Sequence, residues 1–516
     1  MTLIDAVTAV IAAIPILLIF AGMLKLKLPS HKAGIISLGL GILLAFFVWK
    51  MSPVHILQSV LEGVMLGLWP ILWVIFTAIY TYNLLIASGA IGKIKTMLSR
   101  VSMDKRVQVL IIAFAFGGVL EATAGFGTAV AIPASILIAL GFEPVFASVV
   151  CLVANTIPVA FGVVGIPVIT LAKVTDLRLD SLTLYTALQL LPFVLLLPLV
   201  LVTMTAGRIK GIRGMIPMSI AGGAAFGVGQ TLVAWLVGPE LSAVAGSLFA
   251  LAVLIFWGRA FPTKNTMDSD DLRQPAGEPE EKIGIIEGIK AWCPYIFIIA
   301  AVLITRTVPF LNFLNKYPFE LSFRFYSGPG GKPMTFSLVT SPGTIILVSS
   351  ILGGVVQGVT FKIFIGTAKK TLKQISKTSI TVLSIVSLAK LIGYSGMISS
   401  IAFSLAAVTG RLYPLISPLI GALGTFITGS DTSSNVLFGE LQKQTAVKIG
   451  SDAAWIAAAN ASGATAGKMI SPQSIAIATS AAGLSGKEGE ILEKTIRYSL
   501  VFVVLLGILV YIVDII

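Results

Sequence analysis

The sequence contains little charge, little histidine and little cysteine. Only 11% of its 516 residues are charged, against 56% hydrophobic, whereas a soluble globular chain is about a quarter charged. This composition excludes an ordinary soluble domain and indicates a polytopic membrane protein. The two cysteines, Cys151 and Cys293, fall in or beside apolar segments, so no disulfide framework is expected. The two histidines and the other possible ligands show no spacing that suggests a metal site.

Several other signals are missing as well. No Walker-type phosphate-binding loop is present, which argues against ATP as an energy source, and we expect no cofactor. The net charge of +13 does not predict a nucleic-acid partner, because Lys and Arg cluster between apolar segments as topology determinants do. No cleavable signal peptide is evident, since the first apolar segment lacks a basic start.

Apolar segment lengths predict an all-α fold that crosses a bilayer many times. A hydrocarbon core of about 30 Å needs roughly 20 apolar residues per helix, which here predicts about twelve spans. They lie at 5–24, 33–49, 62–86, 144–172, 182–206, 214–238, 240–258, 288–309, 341–361, 378–409, 452–484 and 494–516. The acidic stretch 259–287 is a predicted cytoplasmic linker between an N-terminal half, 1–258, and a C-terminal half, 288–516. Residues 311–340 are expected to be extracellular.

Two long apolar segments, 107–140 and 412–444, are each interrupted by polar residues at mid-length. The interruptions are Leu120–Gly127 and Thr428–Asn435. Because lipid does not solvate such groups, each segment is interpreted as a re-entrant hairpin whose tip is buried in protein. Four predicted loops are rich in Lys and Arg, at 25–32, 93–106, 208–213 and 362–377. Counting both hairpins as non-crossing places all four on one face, the cytoplasmic one. The first hairpin then opens from the cytoplasm and the second from outside; the alternative is that both islands are polar turns at the membrane surface.

An inverted repeat is indicated by matched positions in the two halves. Asn155 and Pro167 recur as Asn460 and Pro472, in each case 305 residues later. The segments 144–172 and 452–484 are predicted to be broken helices, the first at Pro158 and the second in the small residues 460–467. A broken helix exposes N–H groups that suit an anion and carbonyls that suit a cation. The alternative for the small residues is close helix packing.

The charged residues predicted at membrane depth are few. Glu121 and Asp431 fall at the hairpin tips and are the strongest candidates for function. Lys468 could pair with Asp431, face the substrate or snorkel to the interface. Lys390 is also in mid-span, and for it snorkelling or a structural ion pair is as plausible as a function.

Other ionisable residues carry weaker signals. Glu62 and Glu143 lie near predicted span ends and are expected to be interfacial. His31 and His55 fall in predicted short loops, so neither is a strong candidate for a proton relay.

Six segments together resemble the L-lactate permease family. They are Leu120–Thr128, Asn155–Gly162, Gly165–Pro167, Tyr394–Gly396, Thr428–Asn435 and Gly467–Ile477, and the order of motifs agrees over nearly the whole chain. The resemblance implies a secondary active transporter that imports L-lactate, glycolate and related 2-hydroxy monocarboxylates together with protons, with D-lactate as a further candidate substrate. It also implies a multi-pass protein of the bacterial cytoplasmic membrane, with the lipid bilayer, protons and a small monocarboxylate as its only expected partners.

The resulting hypothesis assigns roles to many of the polar residues in the islands and breaks. Because burial disfavours a charged carboxylate, Glu121 or Asp431 is expected to carry the coupled proton. The expected substrate-binding residues are Thr123, Asn155, Thr156, Thr432, Ser433, Ser434, Asn435, Asn460, Ser462 and Lys468, with Lys390, Tyr394 and Gln473 as further possibilities.

Three other functions remain alternatives. A sodium-coupled carboxylate transporter would use the same Asn, Ser and carbonyl groups. An intramembrane enzyme would need a nucleophile–base pair or metal ligands, which the spacing does not offer. A purely structural subunit would have no use for two polar islands at membrane depth.

Overall fold

The computed structural model is almost entirely helical. It describes residues 3–24, 26, 28–99, 101–123, 125, 127–207, 212–261, 283–307, 313–314, 316–331, 333–484 and 487–516. Most of the predicted linker, residues 262–282, lies outside the described residues.

The first part of the chain contains thirteen α-helices in its described residues. They are α1 (Leu3–Leu24), α2 (Ser30–Phe47), α3 (Pro53–Leu66), α4 (Trp73–Ala87), α5 (Ala90–Ser99), α6 (Lys105–Val109), α7 (Gly117–Thr123), α8 (Thr128–Ala139), α9 (Pro144–Ala154), α10 (Gly162–Thr175), α11 (Leu179–Ala206), α12 (Ile216–Leu236) and α13 (Pro239–Ala260). Gly67–Leu72 and Leu110–Phe116 are π-helical, and Pro158–Phe161 is a 3₁₀-helix.

The second part continues the helical pattern and adds one β-hairpin. Its helices are α14 (Ile285–Thr307), α15 (Pro342–Val356), α16 (Phe361–Ser395), α17 (Met397–Thr409), α18 (Tyr413–Thr428), α19 (Asp431–Ile449), α20 (Ala453–Ile470), α21 (Pro472–Ala482) and α22 (Glu488–Ile515), with a short 3₁₀-helix at Gly410–Leu412. The predicted extracellular stretch contains β1 (Glu320–Phe323) and β2 (Met334–Ser337), which pair antiparallel with Glu320 opposite Ser337.

The predicted class, an all-α polytopic membrane protein, is confirmed. Among the described residues, nine helical segments are long and apolar enough to cross a membrane, and several shorter apolar helices accompany them. Two predicted spans differ in detail. Residues 378–409 form two helices that meet at Gly396, whose φ of +90° breaks the path. Residues 62–86 are divided between α3 and α4 by a kink at Trp69.

Each interrupted apolar segment consists of two helices that turn back at the polar island. In 107–140 the arms are α6–α7 and α8, and Gly117 of the first arm faces the Ala129 carbonyl of the second. In 412–444 the arms are α18 and α19, and Ser417 Oγ donates to Gln442 Oε1 at 2.8 Å across them. We call these pairs hairpin 1 and hairpin 2.

The first predicted broken helix, 144–172, is interrupted between α9 and α10. Helix α9 ends at Ala154, and Val163, Val164 and Gly165 all have positive φ before regular helix resumes at Ile166. The backbone therefore unwinds over about the stretch that Pro158 predicted.

The second interruption is in a different place from the one predicted. Helix α20 runs unbroken through residues 460–467, and the helix breaks at Ser471, immediately before Pro472. The small residues serve packing instead, because a side chain at Gly463 or Gly467 would collide with a carbonyl oxygen of α18. The alternative interpretation of close packing was correct for this segment.

Candidate substrate site

A cavity of about 340 Å³ lies between two groups of helices. One side, which we call the α16 wall, contains His31 of α2, Ile75 of α4 and four residues of α16, namely Lys377, Thr378, Thr381 and Val382. The other side, the hairpin wall, is formed by the tips of hairpins 1 and 2 and by the interrupted helices α10 and α20–α21. Exposed Pro29 and Lys377 lie at the rim, while buried Glu121 and Asp431 lie deeper. The cavity therefore connects buried carboxylates with one surface of the protein.

An ion pair between Glu121 and Lys468 lies in the hairpin wall. Glu121 Oε1 is 2.8 Å from Lys468 Nζ, and the glutamate is only 2% exposed. The two residues come from α7 and from the last turn of α20. Gly162 allows this arrangement, because a Cβ atom there would approach Glu121 Oε1 to 3.0 Å. Within the described residues, Glu121 Oε2 has no hydrogen-bond partner.

Asp431 is a second buried carboxylate beside this pair. It is the first residue of α19 and is 3% exposed. Neither of its carboxylate oxygens has a hydrogen-bond partner among the residues that the structure describes. The charges of Lys468 and Glu121 both act on it, so the three residues form one electrostatic unit. Lys468 pairs directly with Glu121 and also lines the cavity, whereas pairing with Asp431 was one of the three possibilities that the sequence left open.

Four helices begin at the cavity. Gly127 caps α8, Ser430 caps α19, regular helix resumes in α10 at Ile166, and Gln473 lies in the first turn of α21. The first turn of a helix presents unpaired N–H groups and the positive end of the helix dipole. A cavity lined by several such ends and a lysine favours an anion.

The structure brings six of the predicted site residues to this cavity. They are Glu121, Asp431, Thr432, Ser433, Lys468 and Gln473. Asp431, Thr432 and Ser433 belong to the first turn of α19, and their role in binding stays a prediction.

Three predicted hydroxyl residues lie away from the cavity. Thr123 Oγ1 donates to the Val119 carbonyl at 2.6 Å, and Ser434 Oγ donates to the Gly421 carbonyl at 2.8 Å. Ser462 is fully buried inside α20 and does not line the cavity. The bonds of Thr123 and Ser434 stabilise the hairpins, so we reassign these two residues from substrate binding to structure.

Asn435 and Asn460 belong to a buried hydrogen-bond network behind the cavity. Asn460 Nδ2 donates to Asn435 Oδ1 at 2.9 Å, and Asn435 Nδ2 donates to the Pro167 carbonyl at 3.1 Å. Gln442 Nε2 donates to Asn460 Oδ1 at 3.0 Å. Asn460 does not free any backbone groups, because α20 is regular there. The network instead joins hairpin 2 to α10 and α20.

Asn155 and Thr156 lie on the far side of Lys468. Together with Thr465 and Ser474 they line a narrow gap between α9, α20 and α21. Asn155 Oδ1 and Thr156 Oγ1 have no hydrogen-bond partner in the described part of the chain. Asn155 and Thr156 therefore lie beside Lys468 in this gap and do not line the cavity itself.

Lys390 and Tyr394 form a separate buried cluster with Glu62. Lys390 Nζ lies 2.9 Å from Glu62 Oε1, and Tyr394 OH donates to the same oxygen at 2.6 Å. Glu62 is therefore buried rather than interfacial. Glu143 is exposed and caps α9 by accepting from the N–H groups of Val145 and Phe146.

Residues that the sequence did not predict complete the α16 wall. They are His31, Lys377, Thr378 and Thr381. His31 is in the first turn of α2, not in a loop, and α16 begins at Phe361, well before the predicted span. Lys377, Thr378 and Thr381 recur at helical spacing on one face, which is a signal for a polar helix surface. The sequence analysis did not recognise this helix surface, because the five lysines between residues 362 and 377 resemble a basic loop.

Within the described ranges, no three His, Cys, Asp or Glu side chains come together as metal ligands.

The apolar spans and the polar cavity between them define a multi-pass helical membrane protein of the transporter class. A family model described as L-lactate permease matches residues 8–516. The chain belongs to the L-lactate permease family.

Curated relatives of both lactate and glycolate permease type match almost the whole chain. It is 43% identical to an L-lactate permease of Streptococcus iniae, over 87% of this chain and 93% of that protein. It is 35% identical to the glycolate permease GlcA of Escherichia coli (strain K12), over 97% and 95%. Among solved structures, Neisseria gonorrhoeae MtrF, from a class of antimetabolite efflux pumps, covers 96% of this chain and 97% of its own, at 13% identity with a TM-score of 0.49.

Proposed function

We propose that the protein is a secondary transporter that carries L-lactate, glycolate and related 2-hydroxy monocarboxylates, D-lactate among them, together with protons across the bacterial cytoplasmic membrane. The family and the names of its relatives support this substrate class. The observation that carries the proposal is the cavity at which four helices begin beside Lys468. A small carboxylate is the kind of ligand that such a group of N–H donors and a single cation would bind.

Coupling would follow from competition for Lys468. While Glu121 is charged, it occupies the Lys468 ammonium at 2.8 Å. When Glu121 takes up a proton, the ammonium loses its partner and can accept the substrate carboxylate. Lactate is an anion at neutral pH, so a proton that moves with it also cancels the charge that crosses the bilayer. Asp431 is a second place for this proton, because an unpaired buried charge is costly.

Recognition of the 2-hydroxyl group would fall to the tips of hairpin 2 and α21. Thr432, Ser433, Gln473 and Ser474 all line the cavity near Lys468 and offer hydroxyl or amide groups. A substrate that lacks the hydroxyl would leave such groups without a partner, which disfavours its binding.

The open side of the cavity would face the cytoplasm. Lys377 at the rim belongs to the most lysine-rich segment of the chain, which the distribution of basic residues assigns to the cytoplasm. The state described here would then be open to the cytoplasm.

We also propose that the two hairpins enter the membrane from opposite faces and that the halves 1–258 and 288–516 form an inverted repeat.

Uptake into proteoliposomes tests this function. We expect an imposed inward pH gradient to drive accumulation of labelled L-lactate and glycolate, with acetate transported much more weakly because it lacks the hydroxyl group. Replacing sodium by choline should leave the rate unchanged. Accumulation that requires sodium and ignores the pH gradient would contradict proton coupling.

A further inference from the structure

A second buried carboxylate–lysine pair lies outside the cavity just described. Glu62 of α3 is 2.9 Å from Lys390 of α16, and the lysine also lies over the Tyr394 ring at 5.6 Å. As with Glu121, one glutamate oxygen holds the lysine, and the other, Oε2, has no partner among the described residues. Among the described residues, Lys390 and Lys468 thus each pair with a glutamate that is almost completely buried.

Close helix packing and the β-hairpin segment hold this pair in place. Gly63 lies against the backbone of Ser387, where any side chain would collide, and this brings Glu62 beside Lys390. Tyr326, from the segment between β1 and β2, stacks on Tyr394 with ring centroids 3.8 Å apart. Ser327 donates from its N–H and Oγ groups to Gln58 Oε1 of α3. The segment therefore covers the pair from the surface opposite Lys377.

The Glu62–Lys390 pair lies near the part of α16 that packs against α19 of hairpin 2. Lys377 and Lys390 are thirteen residues apart on α16, or about 20 Å along the helix. Helix α16 packs against α19 of hairpin 2. Both helices contribute to one buried hydrophobic cluster, α16 with Leu388 and Leu391 and α19 with Val436, Leu437 and Leu441. Glu440 of α19 lies close enough to Lys390 for their charges to interact. Lys390 is thus a cation at the junction between the walls, and its side chain is 19% exposed.

We propose that Lys390 is the carboxylate-binding residue of a second substrate station, which opens when α19 separates from α16. Glu62 and Tyr394 hold the ammonium while this route is closed, as Glu121 holds Lys468. A 2-hydroxy monocarboxylate that arrives from this side would meet Lys390 before it reaches Lys468. The inference rests on the proposed function, because it assigns a role to the same anion.

Transport measured separately from each face tests the station. In right-side-out and inside-out vesicles, Lys390→Met should raise the KM for L-lactate at least about tenfold from the Tyr326 face, since the lost bond involves a charged group. The KM from the Lys377 face should not change. Glu62→Gln should shift KM in the opposite direction, lowering it from the Tyr326 face, because it removes the competing carboxylate. Lys390→Arg should preserve KM from both faces, since it keeps the charge.

The opposite signs distinguish a binding role from a structural one. If Lys390→Met and Glu62→Gln both impair transport equally from both faces, the pair is only structural and the inference is wrong. Lys448→Met is the matched control, because Lys448 is an exposed lysine on α19 that lies over Phe403. An equal KM increase in this control would mean general attraction of anions and would also overturn the inference.

Failure of the inference can be told apart from failure of the proposed function. Wild-type vesicles that do not transport lactate would contradict the function itself. Wild-type transport combined with an unchanged KM in Lys390→Met from both faces would contradict the second station alone. Should Lys390→Met fail to reach the membrane, Lys390→Arg and Glu62→Gln decide the question by the same measurement.

Discussion

Glu121 and Lys468 are 347 residues apart in the chain and meet at 2.8 Å in the cavity. The glutamate belongs to the tip of hairpin 1 and the lysine to the end of α20, so the ion pair joins the two halves of the protein. Its two residues are also the proposed binding sites for the two transported species, the proton and lactate. The proton would bind Glu121, and the lactate carboxylate would bind Lys468. Each ligand would weaken the ion pair between these two residues and so would favour binding of the other ligand.

Glu121→Gln should separate exchange from accumulation. Glutamine resembles the protonated carboxyl group and cannot release a proton, so Lys468 should stay available to substrate at every pH. We expect accumulation of lactate driven by a pH gradient to be lost, while exchange of internal for external lactate continues. Both are measured with labelled lactate in proteoliposomes.

Glu143→Gln is the control for this prediction, since Glu143 is exposed and caps α9 away from the cavity. It should accumulate lactate as the wild type does. If Glu121→Gln also concentrates lactate normally, Glu121 does not carry the coupled proton, and the same measurement on Asp431→Asn becomes the decisive one.

Lys468→Ala should weaken substrate binding strongly. A hydrogen bond to a charged group is worth about 1.5–3 kcal/mol, and about 1.4 kcal/mol corresponds to a tenfold change in affinity. We therefore expect the apparent KM for lactate to rise at least about tenfold. An unchanged KM in a variant that purifies as a monodisperse, thermally stable protein would assign Lys468 to a structural or snorkelling role.

Asn460→Ala should affect stability rather than affinity. Its side chain bonds to Asn435 and Gln442 inside the protein, and both would lose a partner. Each buried group left without a partner costs about 1–3 kcal/mol, so the thermal unfolding midpoint in detergent should fall. Ser399→Ala, which removes an exposed bond to Gln444, should change it much less. A raised KM with an unchanged midpoint would return Asn460 to the substrate site.

The sequence predicted the polar centre of the site because polarity in an apolar chain is conspicuous. Glu121, Asp431 and Lys468 stand out against their neighbours, and the turns of both hairpins fall at the islands that contain two of them. Burial of such groups is costly, so they must face protein or a cavity wherever they occur. The cost of burying these charged groups does not depend on how the helices are arranged.

The partners of these groups could not be predicted in the same way. Gly463 and Gly467 weaken a helix by propensity, but packing against α18 decides their conformation. Glu62 lies close enough to a span end to suggest the interface, and only the approach of α3 to α16 at Gly63 buries it. Such outcomes depend on tertiary contacts between distant segments, which local patterns do not contain.

Cysteine probes at the two hairpin tips should distinguish the cavity from the protein interior. Ser433 lines the cavity, whereas Thr123 is buried with its hydroxyl bonded to Val119. After replacement of the native Cys151 and Cys293, Ser433→Cys should react with a small membrane-impermeant thiol reagent applied from the Lys377 face. Saturating L-lactate should slow this reaction, because the substrate would occupy the same space. Thr123→Cys should not react.

The pattern of labelling also tests which face the cavity opens to. If the basic loops are cytoplasmic, Ser433→Cys should react in inside-out vesicles and remain unreactive in right-side-out vesicles held without substrate. The apolar contact between α16 and α19 closes the opposite route in this state, so reagent from that side cannot reach the hairpin tip. Equal reaction from both faces would contradict a cavity that is open only to the Lys377 face. Reaction that lactate leaves unchanged would mean that hairpin 2 does not end in a substrate cavity. The competition for Lys468 would then lose its structural basis, although membership in the lactate permease family would stand.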